Sequence, residues 1–140
     1  MFIRSIQLSD YVSVTRLLSN VLTESCYEET MEVFARQLSW DSDLVLVALD
    51  NLQVVGIIIG TIDNNNGYFY RIAVDPIHQR QGIGRTLIDN LEKRFHQRKV
   101  NKILITIDSH NEPLLPLYQS LGYRTNDFFR SLKSLSIVNG

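Results

Sequence analysis

The chain has 140 residues, a formal net charge of −1 at pH 7 and 44% hydrophobic residues. This length and apolar content fit one compact domain over residues 1–140 and exclude a disordered chain. The near-zero charge argues against a nucleic-acid partner held by a general basic surface, and the longest strongly apolar stretch, Val54–Ile59, is too short to span a membrane.

The first half of the chain is predicted to form two helices and a run of strands. Alternating or β-branched residues predict strands at 2–8, 44–49, 52–62 and 68–74. Helical spacing predicts one helix after the capping residues Ser9 and Asp10, and another from Glu28 to Leu38. The apolar face of the second helix is expected to hold Met31, Phe34, Ala35 and Leu38. Turns at Asp50-Asn51 and at Asn64-Asn65-Asn66-Gly67, whose strongest part is Asn66-Gly67, would join the last three strands into an antiparallel meander.

The second half of the chain adds a parallel pair of strands. Apolar residues from Ile83 to Phe95 repeat at helical spacing, and residues 102–108 again have the pattern of a strand. Such a strand–helix–strand unit places its two strands parallel. Pro113 and Gly122 frame another helix, and one or two short strands are expected from Tyr123 onward. The predicted class is α/β (α+β mixed sheet), an antiparallel meander leading into a central parallel strand pair, flanked by about four helices.

The residues Gln79–Thr86, the glycine turn, stand where the helix of this unit starts. A helix start leaves several backbone N–H groups unpaired and carries the positive end of the helix dipole. Gly82 and Gly84 let a ligand approach the backbone closely, and Arg80 and Arg85 add positive charge. The turn is therefore a candidate phosphate site, although a solvated tight turn could carry the same residues.

Two other phosphate-binding motifs fail here on specific residues. The dinucleotide fingerprint requires a third glycine at position 87, which is Leu87. The P-loop requires glycine at position 79 and lysine at position 85, which are Gln79 and Arg85. Neither motif therefore predicts a nucleotide site.

Two blocks of sequence together resemble the GNAT (Gcn5-related) superfamily of N-acetyltransferases. The first is Arg71-Ile72-Ala73-Val74-Asp75-Pro76 followed by Gln79-x-x-Gly82-x-Gly84, similar to the family's Gln/Arg-x-x-Gly-x-Gly/Ala signature for acetyl-CoA. The second runs from Asn111 to Tyr118 and then Leu121-Gly122-Tyr123, similar to the family's Asn…Leu-Tyr…Leu-Gly-Phe/Tyr segment. The blocks leave room for one helix and one strand between them, as the family requires, and the close resemblance covers Tyr70 to Tyr123.

The resemblance implies a GNAT-like fold whose central parallel strands splay open, with acetyl-CoA as co-substrate and no metal. The family's pyrophosphate-binding turn corresponds here to Gln79, Arg80, Gln81, Gly82, Ile83, Gly84, Arg85 and Thr86. The main chain of Ile72, Ala73 and Val74 would bind the pantetheine arm like an added strand, and an N–H near Val74 would stabilise the oxyanion. Asn111 would bond the pantetheine region. Tyr118 would lie at the thioester sulfur as the catalytic acid.

These motifs do not specify the general base or the acceptor site. Where some family members carry a glutamate, residues 68–71 are Tyr-Phe-Tyr-Arg and contain no acid. Tyr68 and Tyr70 share one face of their strand, and with Glu28 they are candidates to bind the acceptor. Glu24 and Glu29 lie near Glu28, and any of the three could be a base, a binding charge or a solvated acid at a helix end.

The remaining residues of interest carry weaker signals. The histidines lack metal-ligand spacing and are expected on the surface: His78, His96 and His110. Cys26 is expected to be buried rather than nucleophilic, and Trp40 is expected in the core. A single cysteine forms no internal disulfide, which suits a reducing compartment and a soluble, cytoplasmic protein.

The resemblance predicts direct transfer of an acetyl group from acetyl-CoA to a primary amine in a ternary complex. A non-catalytic acetyl-CoA-binding sensor or regulatory module is the alternative, because the central strand lacks the acid. A nucleotide-binding domain would instead bind ATP or NAD and not CoA. The acceptor stays open among small-molecule amines and peptide or protein amines, and a homodimer would be ordinary.

Overall fold

The six strands of the protein form one mixed sheet. In the computed structural model, which describes all 140 residues, the strands lie in chain order across the sheet. They are β1 (Phe2–Ser5), β2 (Val45–Asp50), β3 (Gln53–Asp63), β4 (Asn66–Val74), β5 (Ile103–Thr106) and β6 (Phe128–Phe129). The first four strands pair antiparallel, whereas β5 runs parallel to both β4 and β6. This confirms the predicted meander that leads into a parallel pair.

Helices cover both faces of the sheet. They are α1 (Tyr11–Val21), α2 (Glu24–Asp41), α3 (Ile83–Gln97), α4 (Leu115–Ser120) and α5 (Ser136–Asn139). One buried cluster, which includes Val14, Phe34 and Ile137, packs α1, α2 and α5 on one face. A second cluster, which includes Leu91 and Tyr118, packs α3 and α4 on the other. The mixed α/β class is confirmed, and none of the helices is long and apolar enough to cross a membrane.

The turn between β3 and β4 lies in the predicted segment 64–67, but it is formed by Asn64 and Asn65 and not by the stronger signal, Asn66-Gly67. Both asparagines have positive φ angles, 51° and 63°, and the two strands pair directly on either side of them. Two left-handed residues between paired strand ends make a type I′ hairpin, and asparagine tolerates this conformation better than most residues. The turn between β2 and β3 lies one residue later than predicted, at Asn51 and Leu52.

Helix α2 begins four residues before the predicted start, at Glu24. The preceding Thr23 caps the helix, because its hydroxyl accepts the N–H of Cys26 at 3.4 Å. Ala35 and Trp40 are exposed, so the expectation that Trp40 belongs to the core is wrong. The residues that α2 buries are Thr30, Val33, Phe34 and Gln37. Met31 and Leu38 are half-buried against the same core, so the predicted face is correct except at Ala35, and the pattern of apolar residues misses the buried polar Thr30 and Gln37.

The apolar stripe of α3 lies directly on the sheet, as its spacing predicts. Its buried residues are Ile83, Leu87, Ile88, Leu91 and Phe95. The ring of Phe95 lies over Gly67 in β4, and a Cβ added at Gly67 would stand 2.8 Å from two atoms of that ring. The missing side chain at Gly67 thus lets α3 approach the sheet closely.

Replacing Gly67 by alanine is expected to lower the free energy of unfolding by about 1–3 kcal/mol, the usual cost of overpacking. The buried ring of Phe95 cannot move away easily, because it also contacts Phe69 with 5.6 Å between centroids. Gly84→Ala is the control, since its Cβ would meet nothing closer than 3.6 Å and alanine is the better helix former. Urea unfolding measures both variants, and equal stabilities would contradict this close approach.

Strands β4 and β5 pair only at their first residues and then separate. The register joins residues 67–69 of β4 to residues 103–105 of β5, although β4 continues to Val74. The opposite edge of β4 carries a β-bulge at Tyr70, which has no partner in β3. A gap therefore opens between the two parallel strands beside Ile72 and Val74, and the candidate site lies there.

Candidate functional site

The glycine turn connects the carboxyl end of β4 to α3. Arg80 and Gly82 adopt positive φ angles of 68° and 78°, and Gly82 is the N-cap of the helix. The first helical bond runs from the N–H of Thr86 to the carbonyl of Gly82 at 3.0 Å. The N–H groups of residues 83–85 therefore have no partner within the helix, and they stand at its positive end. This arrangement of free donors suits a phosphate group.

A cleft of about 410 Å³ lies between the end of β4, the glycine turn and α4. Its walls include most of the predicted cofactor residues, namely Ile72, Ala73, Val74, Gln79, Arg80, Gly82, Ile83, Gly84 and Arg85. The other wall residues are Val21, His78, His110, Leu114 and Leu117. Four predicted cofactor residues do not line it, namely Gln81, Thr86, Asn111 and Tyr118. The fold thus brings the strand end and the glycine turn into one cavity.

Side chains of the glycine turn are held by neighbouring groups. The Thr86 hydroxyl donates to the carbonyl of Gly82 at 2.8 Å, so it stabilises the helix start. Arg85 donates to Ser120 Oγ at 3.2 Å, which ties the turn to α4. Gln79 donates to the carbonyl of Val74 at 3.4 Å. These bonds fix the shape of the turn around its open backbone.

A buried arginine, to which the motifs assign no role, lies where β4 and β5 separate. The guanidinium of Arg71 donates to Asp108 at 2.8 Å and to Thr30 Oγ1 at 3.0 Å. It also donates to Asn111 Oδ1 at 3.2 Å and to the Tyr70 hydroxyl at 3.3 Å. Arg71 therefore links β4 to α2 and to the segment after β5. A charged residue within an apolar strand was the signal in the sequence that could have indicated such a network.

Asn111 lies behind the cleft, and both ends of its side-chain amide are bound by the protein. Its Oδ1 accepts from Arg71, and its Nδ2 donates to the carbonyls of Tyr70 at 2.9 Å and Thr106 at 3.0 Å. The residue is only 3% exposed. Asn111 thus bridges the two strands just where their own pairing has ended. Its contact with pantetheine stays a prediction.

His110 lies in the cleft, which corrects the expectation of a surface histidine. Its ring is half-buried, and its Nε2 lies 3.4 Å from the carbonyl oxygen of Ile72. Its backbone N–H donates to Asp108 Oδ1 at 3.0 Å, which fixes the turn that carries the ring. Burial, together with the positive charge of Arg71, lowers the pKa of His110 below its ordinary value of 6.5. The imidazole is therefore neutral at pH 7.

The other histidines and the cysteine have varied surroundings. His96 is exposed, as expected. His78 is half-buried beside two carboxylates, with ring nitrogens 3.5 Å from Asp50 and 3.7 Å from Asp75. Cys26 is half-buried rather than buried, and its Sγ lies 3.9 Å from Thr30 Oγ1. Of these residues, only His78 lines the cleft.

Tyr118 packs behind the cleft in an aromatic cluster. Its ring lies 5.5 Å from that of Phe69 and 6.1 Å from that of Tyr123, measured between centroids. Burial raises the pKa of Tyr118 well above its ordinary value. The hydroxyl therefore stays protonated at pH 7, as a proton donor must. The position of the thioester sulfur beside it stays a prediction.

Tyr68 and Tyr70 lie on the same face of β4, as predicted, but that face belongs to the core under α1 and α2. Tyr68 contacts Phe129 edge-on, with 5.0 Å between ring centroids. Tyr70 is fully buried, and burial raises its pKa to about 12. Glu28 is exposed on α2. The structure therefore does not bring Glu28 and the two tyrosines together in an open pocket, because the helices cover the tyrosine face.

A second cleft, of about 360 Å³, opens beside the end of β5. Its walls are Ile107, Asp108 and residues 130–134, which follow β6. Asp108 contacts the buried Arg71 on one side and keeps 21% of its side chain exposed. Asp108 thus lines this second cleft, whereas His110, two residues later, lines the first.

Known proteins resemble the chain in sequence and in fold. A family model described as an acetyltransferase (GNAT) domain matches residues 11–132. A curated acetyltransferase of Pectobacterium atrosepticum is 36% identical over 92 residues, 66% of this chain and 65% of that protein. A Yersinia pestis acetyltransferase is 31% identical over 128 residues, 91% of this chain and 90% of that protein. A GNAT-family acetyltransferase from Brucella melitensis, solved in complex with acetyl-CoA, has a TM-score of 0.74 at 20% identity, covering 89% of this chain and 83% of that one.

Proposed function

Because the chain belongs to the GNAT family of acetyltransferases, we propose that it transfers an acetyl group from acetyl-CoA to a primary amine. The amine would attack the thioester directly while both substrates are bound. The acetyl-CoA bound to the similarly folded Brucella melitensis protein supports this choice of donor. The acceptor would be an amine of a small molecule or of a peptide.

The observation that carries the proposal is a cleft that joins an open strand edge to a helix start. Past residue 69, β4 has no strand partner on the β5 side. The main chain of Ile72, Ala73 and Val74 would therefore pair with the pantetheine arm as it would with an added strand. At the other end, the free amides that follow Gly82 would hold the pyrophosphate. Acetyl-CoA has both of these parts in one extended molecule.

Acetyl transfer requires an unprotonated amine, a stabilised oxyanion and a protonated leaving group. At pH 7 the solution is about 3.4 pH units below the pKa of a lysine-like amine, so the free base is disfavoured by about 4.6 kcal/mol. A backbone N–H near Val74 would stabilise the oxyanion. Tyr118 packs on Phe69, the last residue of β4 that pairs with β5, and would donate the proton to the CoA sulfur.

Replacing Tyr118 by phenylalanine is expected to lower kcat about 10²-fold, the low end for a positioned general acid, because a thiolate is already a fair leaving group. Packing on Phe69 and Tyr123 is kept, so acetyl-CoA affinity and melting temperature should change little. Tyr123→Phe is the matched control, since its hydroxyl donates to Glu92 within the same cluster. Steady-state kinetics distinguish a general acid from a residue that only packs. A Tyr118→Phe kcat within about twofold of wild type at every pH would make Tyr118 a packing residue.

A thiol-release assay over a panel of amines tests the proposed function. The panel contains aminoglycosides, polyamines, amino acids and peptides with free N-termini. We expect free CoA to appear only when an acceptor is present, together with an acceptor heavier by one acetyl group. A non-catalytic sensor would bind acetyl-CoA and release no thiol with any amine. A nucleotide-binding domain would bind ATP or NAD and not CoA.

A further inference from the structure

We propose that His110 is the general base of the transfer, and that its Nδ1 takes the proton from the attacking amine. The inference rests on the proposed function, because it needs acetyl-CoA in the cleft. It fills the role that the motifs leave open, since residues 68–71 contain no acid. Three histidines are predicted on the surface, and His110 is the one that lies where β4 and β5 separate.

The position of His110 distinguishes it from the other titratable groups of the cleft. Those groups are His78, Arg80, Arg85 and His110. An arginine does not lose its proton in a protein and cannot serve as a base. His78 stands beside Asp50 and Asp75, just before the glycine turn, where the phosphates would bind. His110 lies at the opposite end, against Ile72, where the strands separate and the thioester would reach.

The contact with β4 determines which ring nitrogen is free. A carbonyl oxygen only accepts, so the 3.4 Å contact with Ile72 requires the hydrogen of His110 to be on Nε2. The neutral ring then has an unshared electron pair on Nδ1. The carbonyl of Ile72 has two lone pairs and can accept from pantetheine at the same time. The strand thus selects Nδ1 as the nitrogen that can accept a proton.

The charges around His110 favour its neutral form. Arg71 faces it from β4, Asp108 faces it from its own turn, and Arg80, Arg85 and His78 stand on the other walls of the cleft. Burial lowers the pKa of His110 most and the positive charge of Arg71 lowers it further, whereas the hydrogen bond to Ile72 and the charge of Asp108 oppose the shift. The neutral ring, which can accept a proton, is therefore favoured over the protonated ring at pH 7.

The proposed step balances in atoms and charge. The amine nitrogen attacks the thioester carbon and becomes positively charged, and therefore acidic, as the C–N bond forms. His110 Nδ1 takes one proton from this nitrogen. The C–S bond then breaks, its electron pair leaves on the sulfur, and Tyr118 donates a proton to make the thiol. His110 returns its proton to water and Tyr118 takes one back, so acetyl-CoA and a free amine give an acetamide and CoA.

His110→Gln tests the role, because glutamine can still donate to Ile72 but has no basic nitrogen. We expect kcat/KM to fall about 10²-fold or more, while the Kd of acetyl-CoA stays within about threefold. The pKa of His110 lies below 6.5. In the wild type, kcat/KM should therefore also fall as the pH drops through this pKa, because the protonated ring cannot accept a proton from the amine. The variant should lack this acid limb and retain only the titration of the acceptor amine. His96→Gln, at an exposed position of α3, is the control and should match the wild type.

His110→Ala adds a second readout, since imidazole in the buffer should restore part of its lost turnover. His110→Gln activity within about threefold of wild type, with the acid limb unchanged, would overturn the inference and leave the proton to water. A variant that loses acetyl-CoA affinity and keeps kcat would overturn it too, because His110 would then be a binding residue. A wild type that binds acetyl-CoA and releases no thiol would overturn the proposed function and this inference together.

Discussion

Replacing Gly82 by aspartate is expected to weaken acetyl-CoA binding at least 100-fold while the fold survives. Gly82 is the N-cap of α3, and a Cβ added there meets no heavy atom within 4 Å. The side chain would therefore extend into the open cleft, where the pyrophosphate is proposed to bind. Two negative charges about 4 Å apart repel by about 4 kcal/mol near a protein surface, which exceeds a 100-fold loss. The carboxylate would also occupy the free amides of the helix start itself.

Gly82→Asn separates charge from shape in this experiment. Asparagine and aspartate have the same size, and both tolerate the positive φ of 78° at this position. Asparagine should reduce affinity only several-fold, because it adds no charge. Calorimetric titration measures both variants. Equal losses of affinity would mean that the space at Gly82 matters and the charge does not. Wild-type affinity in both variants would mean that the pyrophosphate does not bind at the glycine turn.

Replacing Asp108 by asparagine is expected to lower the free energy of unfolding by about 2–4 kcal/mol, near the usual cost of breaking a buried ion pair. The Arg71 guanidinium is fully buried and cannot lose its proton, so it would remain charged without a carboxylate. The lower end of the range reflects the 21% exposure of Asp108, which lets water replace part of the lost interaction.

A double-mutant cycle tests this explanation of the Arg71 network. Arg71→Met removes the buried charge while keeping a long side chain, so adding it to Asp108→Asn should cost less than it does in the wild type. Urea unfolding of the four proteins gives the coupling. Additive losses would mean that Arg71 and Asp108 do not stabilise each other, and that Thr30 and Asn111 hold the guanidinium in place.

The phosphate end of the site could be predicted from sequence because its parts are neighbours in the chain. The glycines of the turn and the apolar stripe of α3 occur within twenty residues, and local rules for helix starts apply to them directly. The positive φ of 78° at Gly82 is a conformation that favours glycine. The parallel pairing of β4 with β5 follows from the same short segment.

The inner end of the site could not be predicted, because its contacts join residues far apart in the chain. Arg71 bonds Asp108, 37 positions later, and Thr30, 41 positions earlier. His110 meets the carbonyl of Ile72 across 38 positions. No spacing rule links such pairs, and each depends on where β4 and β5 separate. Tyr70 illustrates the same limit, since strand alternation gives its face correctly but does not reveal that α1 and α2 cover that face.

The most direct test of the acetyl-CoA cleft is a titration of nitrogen-15-labelled protein with acetyl-CoA, followed through the backbone amide resonances. We expect the largest shifts at residues 72–74 of β4 and 80–86 of the glycine turn, because their main chain would contact pantetheine and pyrophosphate. ATP and NAD at the same concentration should move these resonances much less. Shifts centred elsewhere, or none at a saturating concentration of acetyl-CoA, would contradict the assignment of this cleft to acetyl-CoA.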